Sequence, residues 1–326
     1  MSMLLSFSDR FKMALGFWPF ASMLLTLPIL AFLYHRHGRL TMWGVCGAYL
    51  AVLYALGLVC FTLYPLPAGA SGPGITYGIP PQLNLLAFVG DIRSDGTRAV
   101  FQIAANVVFF VPLGFIAGRA FGLRLVPAAI FGFAVSLLVE TAQLTGLFGI
   151  YPYAYRTFDV DDLVWNTSGT VIGWCAAAGV NRLLPSGARG EIEPTRTPGF
   201  VRRSVALALD GLLIGTVTLI IGAAAVLVRR ALGAAGSEPA DNLLWLAGAV
   251  ALVVEGVIPW MRAGRTPGGG FVRMTMETKE RTGARRVLFY AVRLGTLALV
   301  FWYLPIAVPC ALLFYLICRR MPYDYL

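Results

Sequence analysis

Long apolar runs, broken by short polar segments, set the pattern of this chain. They extend over about residues 16–34, 41–64, 99–118, 123–148 and 163–184, and then over 204–228 and 242–261. A final apolar stretch, 287–317, is longer than one bilayer thickness and contains Pro305 and Pro309, so it reads as one kinked helix or a tight pair of short ones. A hydrocarbon core about 30 Å thick takes roughly 20 residues of helix. Lipid-exposed backbone has to be helical or closed into a barrel, and continuous runs fit helices rather than the period-two alternation of a barrel. The pattern therefore predicts an all-α, polytopic transmembrane bundle with eight or nine membrane crossings.

Composition agrees and excludes a soluble domain. Of the 326 residues, 58% are hydrophobic and only 13% charged, with a strongly positive mean hydropathy. Residues 1–11 are short and mixed, and the first run lacks a small-residue cleavage site, so it is expected to remain as a span. The five cysteines, Cys46, Cys60, Cys175, Cys310 and Cys318, all fall in apolar runs without a CxxC pair and read as small packing residues. His35 and His37 flank Arg36 in a polar turn and read as solvated, so no metal site and no cofactor is expected.

The 26 Lys and Arg against 16 Asp and Glu give a formal charge of +10. In a membrane protein that excess belongs to cytoplasmic loops facing anionic head groups, and no nucleic-acid-binding pattern accompanies it. Residues 185–198 turn polar and carry Pro185, Pro194 and Pro198, which marks a linker between a five-helix module at 1–184 and a second transmembrane module at 199–326. A second basic segment, 262–286, holds Arg262, Arg265, Arg273, Lys279, Arg281, Arg285 and Arg286. Charge bias assigns both segments to the cytoplasm, which puts the N-terminus and the loops 65–98 and 149–162 outside.

Polar side chains in lipid are costly, so each one inside a run is a candidate for function. Gln102 and Asn106 are one helical turn apart, Ser136, Glu140 and Gln143 follow i, i+4, i+7, and Asp162, Asn166, Gly169 and Gly173 continue that periodicity on the fifth run. Asn106 and Glu140 both lie about eight residues from the same membrane face, roughly 12 Å at the helical rise, below a loop carrying Arg156, Asp159, Asp161 and Asp162. Asn106, Glu140, Gln143, Arg156, Asp159, Asp162 and Asn166 are thus expected to form one binding site. The alternative is interhelical hydrogen-bonding glue with a capped fifth helix. In the second module Asp210, Glu255 and Arg293 fall at a common depth, with Arg203 two turns before Asp210. Arg293 is expected to bridge Asp210 and Glu255, leaving a net negative charge.

The segments Gln82-Leu-Asn84-Leu-Leu-Ala-Phe88, Asn106-Val-Val-Phe-Phe-Val-Pro112-Leu-Gly114, Glu140-Thr-Ala-Gln143 and Arg156-Thr-Phe-Asp159-Val-Asp161-Asp162, running into Asn166-Thr-Ser-Gly169, resemble the VanZ-like family over about residues 15–184. Leu86-Ala87 stands where that family usually has a proline before the phenylalanine. The resemblance implies a cell-envelope role, since the founding member is associated with resistance to teicoplanin-type glycopeptide antibiotics. The second module is similar to the RDD family over about 199–326, through Arg203 and Asp210 seven residues apart, Arg265-Thr266-Pro267-Gly268, and Asp324 as the candidate second aspartate. That resemblance implies transport.

Three functions stay open: an envelope protein binding a lipid-linked cell-wall component or an amphiphilic glycopeptide at the outer leaflet, an ion-coupled transporter, and a membrane enzyme using Glu140, Asp159 or Asp162 as acid or base. No nucleophile, metal set or phosphate loop accompanies the carboxylates, which disfavours the enzyme. The expected partners are membrane lipids with a lipid-linked precursor or glycopeptide, and not nucleic acid. The number of subunits does not follow from the chain.

Overall fold

The computed structural model describes residues 2–63, 80–151, 154, 156–184, 193–232 and 239–325; side chains are described from residue 8 onward and not for 239–242. Among the described residues the protein is all-α, with two isolated β-bridges and no strand. Seven helices among the described residues are long and apolar enough to cross a membrane. Contacts divide the chain into two compact units, Met1–Met23 with Gly47–Arg189, and Leu24–Cys46 with Gly190–Leu326. Much of the linker expected at 185–198 lies outside the described residues.

The first unit takes the start of α1 (Ser2–His37), most of α2 (Met42–Leu63), a short α3 (Ala87–Asp95), α4 (Thr97–Arg119), α5 (Leu125–Leu144), a four-residue turn α6 (Gly146–Gly149) and α7 (Val160–Leu183). Its centre is the pairing of α4 with α7, and the small-residue stripe explains how close the two helices come. A Cβ on Gly169 would run into the Val107 carbonyl, one on Gly173 into the Val111 carbonyl, and one on Gly114 into the Thr170 backbone. Gly132 of α5 likewise leaves room for the Thr170 side chain. Tyr54 of α2 donates to the Phe109 carbonyl (2.8 Å), beside the stretch of α4 where Pro112 removes a backbone donor.

The apolar run 123–148 predicts a longer helix than exists. Helix α5 ends at Leu144, where the Thr145 hydroxyl accepts the Phe148 amide at 3.0 Å, and Leu147 and Phe148 turn left-handed. Helix α7 has spanning length at 24 residues but carries Asp161, Asp162 and Asn166, and it is not among the seven apolar helices. The long loop 65–98 is partly outside the described residues; its end forms α3, a short amphipathic helix.

The second unit holds the end of α1, the start of α2, α8 (Phe200–Ala231), α9 (Pro239–Leu252), a π-turn (Val253–Val257), α10 (Ile258–Met261), α11 (Pro267–Phe271), α12 (Gly283–Trp302), α13 (Leu304–Cys318) and a closing 3-10 turn (Pro322–Tyr325). The apolar stretch 287–317 is resolved into a pair: α12 stops at Trp302, and α13 begins with Pro305 in its first turn.

The basic segment 262–286 is a folded element rather than a solvated loop. Thr266 caps α11 by accepting the Gly269 amide (2.9 Å), and Val272, Met274 and Met276 pack into a core with Ala31, Tyr34, Val205 and Ala206. Some of its arginines are held as well. Arg281 stacks on Phe289 at 4.3 Å, and Arg286 pairs with Glu277 at 2.9 Å and lies 4.5 Å over Trp260. His35, expected to be solvated, stacks on Phe271 with ring centroids 4.4 Å apart and meets its carbonyl at 3.0 Å.

Candidate functional site

The polar cluster of the first unit is built at the start of α7. Asp159 is in extended backbone and caps the helix, its carboxylate accepting the Asp161 amide at 2.9 Å. Three aspartates in and beside the first turn suit the positive end of the helix dipole. Gln82 stitches the preceding strap onto this corner. Its amide donates to the Phe158 carbonyl (2.8 Å), its carbonyl accepts from Val160 (3.1 Å), and its side-chain nitrogen reaches Asp159 Oδ1 (3.2 Å). Asp161 Oδ2 accepts the Phe88 amide (3.0 Å), and the Phe88 ring meets Trp165 edge-on at 5.4 Å.

Two membrane helices deliver side chains to the same corner. Glu140 of α5 is 3% exposed, and its Oε2 accepts the Asp159 amide at 3.1 Å. Asn106 of α4 donates to the Asp162 carboxylate. Arg156 is exposed and lies within electrostatic reach of Glu140 and Asp162, but among the described residues it makes no ion pair within 4 Å. Burial pushes the Asp159 carboxyl above its usual range; the neighbouring Asp161 charge adds to this, and hydrogen bonds from the Asp161 amide and Gln82 oppose it.

The seven expected site residues therefore separate. Asn106, Glu140, Asp159 and Asp162 converge, with Arg156 facing them. Asn166 sits one turn deeper and donates to Ser136 Oγ (2.9 Å), while its own Oδ1 has no partner among the described residues. Gln143 turns away and donates to the Thr62 carbonyl of α2 (2.7 Å), an interhelical tie. Gln82 and Asp161 join the corner although neither belongs to that set; both stand in the quoted motifs, which was the available signal.

The corner is rich in hydrogen-bond acceptors. Glu140, Asp159, Asp161 and Asp162 supply four carboxylates, and the nearby cations are Arg156 and Arg10, the latter donating to the Phe61 carbonyl at 3.4 Å. Such an arrangement attracts hydroxyl and ammonium donors.

In the second unit the ionisable residues pair differently from the bridge expected of Arg293. Arg293 donates to both the carbonyl (2.6 Å) and the carboxylate of Glu255, and it makes no ion pair with Asp210 among the described residues. Asp210 instead accepts the Gly268 amide at 2.6 Å. Arg203 forms a buried ion pair with Asp324 at 2.7 Å, a second bond to its other oxygen at 3.3 Å, and further bonds to Tyr323 Oη (3.2 Å) and the Pro198 carbonyl (3.2 Å).

A VanZ/LLP1 family model matches residues 51–181, a span that contains every residue of the corner except Arg10. No family model for the RDD resemblance matches the second unit. No curated protein and no solved structure matches the chain.

Proposed function

We propose that the first unit binds the polar head of an amphiphile at the outer leaflet, the ligand class being a lipid-linked cell-wall component or an amphiphilic glycopeptide. The observation that carries this reading is the surplus of acceptors at the α7 corner: four carboxylates with Glu140 buried among them and, among the described residues, no direct ion pair to Arg156. Sugar hydroxyls and amines are the complementary donors. Leu83, Leu85 and Leu86, all exposed, border the corner and offer apolar surface to an acyl or prenyl chain. The match of residues 51–181 to the VanZ/LLP1 model supports an envelope role. On this reading the N-terminus and the Arg156 loop face outward, while 262–286 faces the cytoplasm, following the distribution of Lys and Arg.

Photo-cross-linking locates the ligand. A lipid-linked disaccharide-peptide analogue with a photoreactive group beside its sugars, added to the protein in nanodiscs, is expected to label peptides from residues 82–95 and 156–166. Adducts spread evenly over lipid-facing helices, or concentrated in the second unit, would reject this function.

A further inference from the structure

The second unit carries a buried carboxyl that makes no ion pair among the described residues. Asp210 of α8 is fully buried; its Oδ1 receives the Gly268 amide at 2.6 Å, the Thr266 hydroxyl lies within hydrogen-bonding reach, and its Oδ2 has no partner among the described residues. Both of those donors are neutral. The turn that brings them in depends on glycine at 268, where a Cβ would stand 3.0 Å from the Asp210 carboxyl and run into the Ala206 carbonyl.

The nearest cation is already committed. Arg293, 1% exposed, spends one guanidinium nitrogen on the Glu255 carbonyl and another on the Glu255 carboxylate, leaving its Nε and Glu255 Oε1 without partners among the described residues. Glu255 sits in the π-turn, a local widening of the helix common at functional positions, and it lies within electrostatic reach of Asp210. Other charged or titratable groups on the packed elements are engaged elsewhere: Arg203 of α8 with Asp324, and Tyr290 of α12 with Glu277 at 2.8 Å. The short α11 brings only Thr266 and Gly268 to the carboxyl. With all three groups ionised, Asp210, Glu255 and Arg293 sum to one negative charge in a site closed to water, and an uncompensated buried charge is expensive.

We propose that Asp210 is a proton-binding site, holding one exchangeable proton on Oδ2 beside the closed Glu255–Arg293 pair. Taking up the proton brings the three groups from a net charge of minus one to zero, and the ligand is the proton itself. A metal cation would need several oxygen donors around it, and among the described residues only Asp210 Oδ2 and Glu255 Oε1 are unpartnered carboxyl oxygens here. The site lies outside the amphiphile-binding corner and stands or falls independently of it.

Infrared difference spectroscopy on the full chain in nanodiscs tests this directly. Wild-type protein at neutral pH is expected to show a protonated-carboxyl C=O band that shifts on exchange into heavy water, disappears in Asp210→Asn, and weakens in Glu255→Gln, where Arg293 is left to balance an ionised Asp210. If Asp210→Asn does not fold, Asp210→Glu replaces it and should move the band without removing it. Absence of the band in wild type, its persistence in Asp210→Asn, or an unmoved band in Asp210→Glu would overturn the assignment. Bleaching by sodium at fixed pH would overturn it in favour of a cation site.

Discussion

Replacing Arg293 with methionine is expected to destabilise the second unit by about 3–5 kcal/mol, the range for removing one partner of a buried ion pair. Methionine fills much of the same volume, so the effect isolates the lost donors. The substitution strips both the Glu255 carboxylate and the Glu255 carbonyl of their bonds, and that carbonyl lies in a π-turn where regular helical pairing is disturbed. Detergent denaturation followed by circular dichroism reads the loss. A double substitution, Arg293→Met with Glu255→Leu, should recover part of it, because no carboxylate is then left buried without its cation, although the carbonyl of residue 255 still lacks its donor. A loss below about 1 kcal/mol would place the pair with ordinary membrane hydrogen bonds.

The second large effect concerns the end of the described chain. Arg203 holds Asp324 with two bonds, and Asp324 in turn accepts the Met321 amide at 3.0 Å, which fixes the closing turn against the base of α8. Arg203→Met is expected to cost about 3 kcal/mol or more, since Asp324 stays buried without its cation. Arg203→Lys should recover little, because an ammonium cannot reproduce the forked contact to both carboxylate oxygens together with the bonds to Tyr323 and Pro198. Thermal unfolding of the three proteins in one detergent checks the order wild type, lysine, methionine. Equal stability of all three would remove this anchor from the account.

Much of the helical layout is legible in the sequence because lipid leaves the backbone few choices, and runs of apolar residues mark helices directly. Gly169 and Gly173 were readable as a close-approach stripe from their spacing alone. The convergence of Asn106 and Glu140 on the α7 corner follows from helical periodicity and equal depth. Gln143 leaves the corner because three residues fall about 60° short of a full helical turn, and the Thr62 carbonyl of α2 offers its amide a partner on that side. Asp210 was misread for another reason: its donor is the backbone amide of Gly268, and a main-chain group from a distant turn has no signature in the side-chain pattern. The segment 262–286 reads from its charge only as a basic cytoplasmic stretch, yet cation–π stacking and a few buried residues, Val272, Met274 and Met276, fold it into a core. The run 123–148 overstates α5 because Thr145 and the left-handed residues after Gly146 end the helix while apolarity continues.

The affinity of a lipid-linked disaccharide-peptide precursor for the wild-type chain and for Glu140→Gln, titrated in nanodiscs, tests the amphiphile-binding site most directly. Glutamine keeps an oxygen that can accept the Asp159 amide, so the fold at the corner is preserved while the charge offered to the ligand's donors is lost. A charge-assisted hydrogen bond contributes about 1.5–3 kcal/mol, and about 1.4 kcal/mol is tenfold in affinity. The account predicts saturable binding by wild type and affinity weakened by roughly tenfold or more in Glu140→Gln, with unchanged unfolding. Equal affinity in the two proteins, or no saturable binding by wild type, would contradict it.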